Sequence, residues 1–265
     1  MDAAARVRYI DNDAVTLALE VRGHGPRALL FAHGWISGRR MWRDVAGRLD
    51  PERFTAYLLD FRGAGLSDRP LDGHDLEGYA SDLRAALRET GPAVVIAHSM
   101  GAKVAQFVAT ERPPQLERLV LVAPGTASAY AMNPKHRELA EAAFGSRERI
   151  ERFQRAAMKR EVSPEAMERI VGDALVAQRE AWFGWYDRGR LADFADRLDR
   201  ISVPTVAVAG ENDPLAPPNR VKRDVADRIE GALFVNVRRA GHNLPVETPD
   251  EIAGIISRFA GASEG

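Results

Sequence analysis

Ser99 sits in Ala97-His-Ser-Met-Gly101, between the apolar run Ala93-Val-Val-Ile-Ala97 and the helical pattern Lys103-Val-Ala-Gln-Phe-Val-Ala109. Strand, tight turn and helix in that order form a nucleophile elbow, which lifts the serine oxygen clear of the chain at the carboxyl end of a sheet. A serine hydroxyl is a weak nucleophile at neutral pH; it needs a base within hydrogen-bond reach and a third group to orient that base. Of the six histidines, His242 is the best base, in the loop Ala240-Gly-His-Asn-Leu-Pro-Val-Glu247 after the last predicted strand. His24 falls in a hairpin turn, His74 in a surface-like loop after Asp72-Gly73, and His136 in a later helical block. His98 adjoins Ser99, and its backbone position directs the ring away from the serine oxygen; His33 is expected to brace its own loop. Asp213, in Gly210-Glu-Asn-Asp-Pro214, follows the preceding strand and can hold the histidine tautomer. Glu211 is a rival from the same turn, and Asp213-Pro214 is also compatible with turn chemistry alone. The order Ser99, Asp213, His242 is the chain order of this elbow type. A developing oxyanion needs donors. The N–H of Met100 is one, and the N–H of Trp35, in His33-Gly-Trp-Ile36, is assigned as the second. The Trp35 indole either lines the pocket or packs.

These residues need a scaffold, and the hydrophobic pattern supplies one. Arg6 to Ile10 and Thr16 to Val21 alternate around Asp11-Asn-Asp13 as a hairpin. Further strands are predicted at Ala28–Ala32, Phe54–Leu59, Ala93–Ala97, Leu116–Ala123, Pro204–Gly210 and Ala232–Val237. Helices are predicted over about Arg40–Leu49, Leu76–Arg88, residues 100–111, Asn219–Ile229 and Thr248–Phe259. Strands alternating with helices give a mainly parallel sheet covered on both faces. From about Thr126 to Leu191 the texture is helical, charged and rich in large apolar residues, with helix starts at Asn133-Pro134 and Ser163-Pro-Glu165. This block reads as an inserted lid (residues 126–191) on a core of residues 1–125 and 192–265. Its apolar side chains divide between packing and a substrate pocket, for which Met132, Phe144, Trp182 and Trp185 are the candidates.

Lys+Arg is 37 and Asp+Glu is 38, and no block of like charge stands out, so nucleic-acid binding has no electrostatic footprint. There is no cysteine, which excludes disulfides, thiolate nucleophiles and Cys-type zinc sites. The amino-terminal residues Met1-Asp-Ala-Ala-Ala-Arg-Val-Arg8 lack an apolar leader core, and no apolar run spans a bilayer. A cytoplasmic protein is the expectation. The basic residues are nearly all arginine, with lysine only at 103, 135, 159 and 222, a bias of GC-rich bacterial genomes. Gly63-Ala-Gly65 lacks a third glycine and a following helix, so it reads as a turn rather than a nucleotide loop. Asp60 and Arg62 read as a structural ion pair or turn anchor. Nothing requires a metal or organic cofactor, and oligomeric state is not legible.

Taken together, His33-Gly-Trp35, Asp60-Phe-Arg-Gly-Ala-Gly-Leu-Ser67, Ala97-His-Ser-Met-Gly101, Gly210-Glu-Asn-Asp213 and Gly241-His242 with Glu247-Thr-Pro249 resemble the α/β-hydrolase superfamily over nearly the whole chain. The resemblance implies an α/β fold: a mostly parallel eight-stranded sheet, its second strand antiparallel, with a helical cap after the sixth. One departure is Ala97 where glycine is commonest; the turn needs a small residue there. Another is Pro124-Gly-Thr126 after the strand ending at Ala123, which leaves no acid at the family's alternative position and favours Asp213. Serine at 99 argues against dehalogenases and epoxide hydrolases, which carry aspartate there, and Met100 argues against the cofactor-free dioxygenases. The members it most resembles are small bacterial carboxylesterases, lactonases and perhydrolase-type enzymes. The expected activity is serine-dependent hydrolysis of a small, apolar ester or lactone through an acyl-enzyme. Alternatives are C–C bond hydrolysis of a diketone-type substrate, with Arg152, Arg155, Arg179 and Arg188 of the lid holding a carboxylate, cofactor-free peracid formation, and a ligand-binding receptor that keeps the triad.

Overall fold

The computed structural model describes residues 5–13, 15–131 and 133–261. Eight strands form one sheet: β1 (Arg6–Asn12), β2 (Val15–Gly23), β3 (Arg27–Ala32), β4 (Phe54–Leu59), β5 (Ala93–His98), β6 (Leu116–Val122), β7 (Thr205–Gly210) and β8 (Leu233–Val237). Their order is β1-β2-β4-β3-β5-β6-β7-β8. β2 runs antiparallel to both neighbours, and every pairing from β4 to β8 is parallel. The central strands β5 and β7 are buried at every residue, because helices cover both faces and neither side can be polar. The edge strands β1 and β8 carry most of the exposed positions. The expected architecture is therefore present, with strand limits within a residue or two of the sequence reading.

Ten helices accompany the sheet among the described residues: α1 (Arg43–Ala46), α2 (Leu76–Thr90), α3 (Met100–Ala109), α4 (Pro134–Ala143), α5 (Arg147–Ala157), α6 (Pro164–Leu175), α7 (Arg179–Asp187), α8 (Pro218–Asp224), α9 (Leu244–Glu247) and α10 (Pro249–Gly261). Local chemistry sets several ends. Asp75 caps α2 by accepting from Gly78 N–H at 3.0 Å. Asn133 and Ser163 cap α4 and α6, each with proline at the first turn, where no N–H is needed. Two predicted helices are shorter than expected. The segment 40–49 is a 3₁₀ turn (Arg39–Trp42) followed by α1 alone. Its arginines are drawn inward: Arg39 bonds Glu20 and Asp60, and Arg43 bonds Glu20 at 2.6 Å. The segment 219–229 breaks after α8, where Val225 leaves helical angles and is fully buried. The final helix is preceded by α9, which cannot run on through Pro249.

Asp60 and Arg62 do not pair with each other. Asp60 holds Arg39 and accepts from Leu66 N–H at 2.9 Å, whereas Arg62 bonds Asp82 at 2.7 Å. Gly63-Ala-Gly65 is a turn; Gly65 has φ +51°, and a Cβ there would lie 2.0 Å from Asp60. His74 is buried rather than on the surface, with its Nε2 donating to the Pro70 carbonyl at 2.8 Å.

The helices between β6 and β7 dock on the core through specific bonds. The Trp35 indole donates to Trp182 O at 2.8 Å. Lys103, on α3 and fully buried, donates to Ser128 O, Arg190 O and Ala192 O at 3.1, 3.0 and 2.7 Å. Buried Glu247 accepts from Lys159, Arg160 and Gly241 N–H through one oxygen and Asn243 N–H through the other, at 2.8–3.1 Å. Among the described residues no helix is long and apolar enough to cross a membrane.

Candidate active site

β5 ends at His98, and Ser99 adopts φ +50°, ψ −109° before α3 begins at Met100. That backbone region is strained for a residue with a Cβ, and it is what projects the hydroxyl at the turn. Gly101 permits the turn to press on the neighbouring loop, since a Cβ there would lie 2.5 Å from His33 O. Ser99 Oγ lies 2.9 Å from His242 Nε2, and His242 Nδ1 lies 2.8 Å from Asp213 Oδ2. Asp213 follows β7; its other oxygen accepts from Leu215 and Ala216 N–H at 2.7 and 2.9 Å. Burial works to raise the Asp213 carboxyl. The His242 charge, its hydrogen bond and the two N–H donors outweigh burial and hold it below the usual carboxylate value. Glu211 instead accepts from Arg239 N–H at 2.7 Å on the exposed side of the turn.

His33 accepts from Phe61 N–H at 3.1 Å through Nε2, which leaves Nδ1 to donate to Gly34 O at 2.7 Å. It thereby ties the loop after β3 to that after β4. Trp35, in the same loop, lines the Ser99 cavity and packs against Trp182 at 5.7 Å between ring centroids. Met100 opens α3, is buried, and borders a second, smaller cavity.

Two positioning groups lay beyond the sequence reading. His98 Nε2 donates to the backbone carbonyl of His242 at 2.9 Å, and burial pushes its imidazole down to about 3, so it stays neutral. Glu247 binds the N–H groups on either side of His242, and His242 N–H itself donates to Ala157 O of α5 at 2.8 Å. The loop bearing His242 is thus fastened to the helical block above it.

Ser99 and His242 open into a cavity of about 290 Å³. The core lines it with Trp35, Ile36 and Met41, and the helical block with Tyr130, His136, Phe153, Gln154 and Trp185. Leu215, Ala216 and Arg220 close the side next to Asp213. Of the residues expected to form a pocket, Trp185 lines this cavity and Met132 lies outside the described residues. Phe144 and Trp182 are elsewhere. Trp182 is buried between Trp35 and Phe144, with Phe144 edge-on at 5.3 Å. Phe144 borders an open groove with Arg137 and Phe183. Both pack the helical block, because their face of it meets other helices and the core surface rather than the cavity. Arg152 and Arg155 are paired with Glu148 and Glu151 one helical turn back, and Arg179 lies over the Phe183 ring. None of these, nor Arg188, lines the cavity. Among the described residues no cluster of three or more His, Asp or Glu is placed to hold a metal ion.

An eight-stranded, mostly parallel sheet with a serine on a strained strand–helix turn, and an imidazole and carboxylate aligned behind it, is the layout of an α/β-hydrolase. The sequence matches the alpha/beta hydrolase family over residues 29–255, and the chain belongs to that family. It is 27% identical over 268 residues to the AB hydrolase superfamily protein YisY of Bacillus subtilis, covering 93% of this chain and 96% of that protein. A thermophilic esterase from Thermogutta terrifontis superposes with a TM-score of 0.80 at 26% identity, covering 96% of this chain and 98% of the other. An esterase from Exiguobacterium antarcticum superposes with a TM-score of 0.88 at 18% identity, covering 97% and 100%, and shares the fold.

Proposed function

We propose that the protein hydrolyses carboxylic esters or lactones through an acyl-enzyme on Ser99. The observation that carries this reading is the continuous line Asp213–His242–Ser99, at 2.8 and 2.9 Å, opening into a cavity walled largely by apolar side chains. In this reading His242 takes the hydroxyl proton as Ser99 attacks the carbonyl, then gives it to the departing alkoxide. Asp213 fixes the tautomer and stabilises the imidazolium. The N–H groups of Trp35 and Met100 are the proposed oxyanion donors. Water, activated by His242, then attacks the acyl carbonyl and frees Ser99. Residues 126–191 serve as the lid that shuts the acyl group from bulk water. The likeness to an esterase at 26% identity supports the ester preference.

The test is the initial rate on p-nitrophenyl esters from acetate to palmitate, with Ser99→Ala run in parallel. The cavity lies at the small end of the ~300–1,000 Å³ usual for ligand sites, so short acyl chains are expected to outrun palmitate. Ser99→Ala is expected to lower turnover by roughly 10⁵–10⁶. A loss of less than about tenfold would remove Ser99 from the chemistry.

A further inference from the structure

We propose that Arg220 forms an anion subsite in the Ser99 cavity, so that the preferred substrates are esters or lactones bearing a carboxylate away from the scissile carbonyl; this rests on the hydrolase reading above. Among the described residues the cavity walls contain no aspartate or glutamate, and Arg220 is the one lining residue with a permanent charge. Asp213 makes no ion pair with it: its two oxygens accept from His242, Leu215 and Ala216. The other polar lining groups are amides, hydroxyls and imidazoles. Burial, followed by the His242 charge, pushes the His136 imidazole below its ordinary value.

Arg220 is also incompletely used. Among the described residues it forms no ion pair. The nearby Asp224, one helical turn on, is held by Arg223 at 2.6 Å. One Arg220 terminal nitrogen donates to Leu215 O, while its Nε–H is buried with no hydrogen-bond partner among the described residues. An unmet buried donor costs ~1–3 kcal/mol, and a guanidinium presents its donors as a planar fork that fits a carboxylate through two parallel bonds. The placement is fixed relative to the reacting serine. Leu215 gives its N–H to Asp213 and its carbonyl to Arg220, so one short turn sets both the triad carboxylate and the guanidinium. Tyr130 lies near the same charge. Burial raises its phenol above the usual value, so it remains a neutral donor and not a competing anion.

The reaction is unchanged: water adds across the acyl–oxygen bond, giving a carboxylic acid and an alcohol, while the remote carboxylate stays on Arg220. For a monoester of a dicarboxylic acid, the product is the dicarboxylate.

The test separates binding from turnover. Calorimetry on Ser99→Ala compares monomethyl succinate, glutarate and adipate with uncharged methyl esters of matching length. At least one anionic ester is expected to bind about ten- to a hundredfold more tightly than its neutral counterpart, less so at high salt. In Ser99→Ala with Arg220→Gln that ratio should fall to near one, and Arg220→Lys should restore part of it. Equal binding of both ester types, binding of neither, or an equal loss for both in Arg220→Gln would overturn the subsite; the last would make Arg220 a brace for the Asp213 turn. Turnover of neutral p-nitrophenyl esters by the wild type reports separately on the hydrolase reading. An inert wild type that still prefers the anion would reject hydrolysis and keep the subsite.

Discussion

At the scale of single residues, the two carboxylates of the Asp213 turn have opposite fates. Asp213 points inward to His242, whereas Glu211 accepts a backbone N–H from Arg239 at the surface. Asp213→Asn keeps the shape but turns an acceptor into a donor on one side, so it favours the tautomer that leaves Nε2 protonated. Turnover of p-nitrophenyl butyrate is expected to fall by about 10³–10⁴. Glu211→Gln should stay within about threefold, since it loses only an exposed hydrogen bond. Comparable losses in both variants would contradict the assignment of Asp213. Ser99, Asp213 and His242 were legible because each is marked by its immediate neighbours: a strand before it, a tight turn around it. His98 and Glu247 were not, because their roles are made by distant partners. The His242 carbonyl is 144 residues from His98, and the Lys159 N–H is 88 residues from Glu247. Arg220 was missed for the same reason. Nothing around it in the chain shows that it will line the cavity.

At the scale of elements, the strands followed their apolar runs, while short helices did not follow their periodicity. The segment 40–49 has helical spacing, yet the pull of Glu20 and Asp60 on Arg39 and Arg43 limits it to two short turns. The seating of the helical block on the core was also beyond sequence pattern, and it depends heavily on Lys103. That residue follows Ser99 by one turn of α3 and reaches the carbonyl of Ser128 where the chain enters the block, and those of Arg190 and Ala192 where it leaves. Lys103→Met fills similar space but leaves three carbonyls without their donor. A loss of ~2–4 kcal/mol is expected, equivalent to a melting temperature lower by ~5–15 °C. Limited proteolysis should cut within residues 126–191 before the core. A melting temperature unchanged from wild type would mean that the carbonyls find other donors and that Lys103 is not the anchor.

At the scale of the whole molecule, the near balance of 37 basic and 38 acidic residues leaves little net charge to drive unfolding near neutrality. The pH dependence of stability then falls to buried groups. His33, His74, His98 and His136 all have imidazoles pushed below the ordinary histidine value, chiefly by burial, His98 to about 3. The folded protein takes up protons on these rings less readily than the unfolded chain, which does so below pH ~6.5. Their stabilisation is therefore complete above ~6.5 and is lost progressively as the pH falls. Asp213, held below the usual carboxylate value, adds to the loss only in stronger acid, as the pH falls through its folded value. Asp173 works in the other direction. Burial pushes its carboxyl up to about 6, so the folded state binds that proton first and gains stability on acidification. Four imidazoles against one carboxyl decide the sign. The melting temperature is expected to drop by ~5–15 °C between pH 7.5 and 5, a change of ~2–4 kcal/mol. Asp173→Asn removes the opposing group, so its drop over the same interval should be steeper than that of the wild type. A melting temperature that holds or rises toward pH 5 would show that the buried imidazoles take up protons inside the fold. In that case neutral His98, donating to the His242 carbonyl, would not be the state that positions the triad.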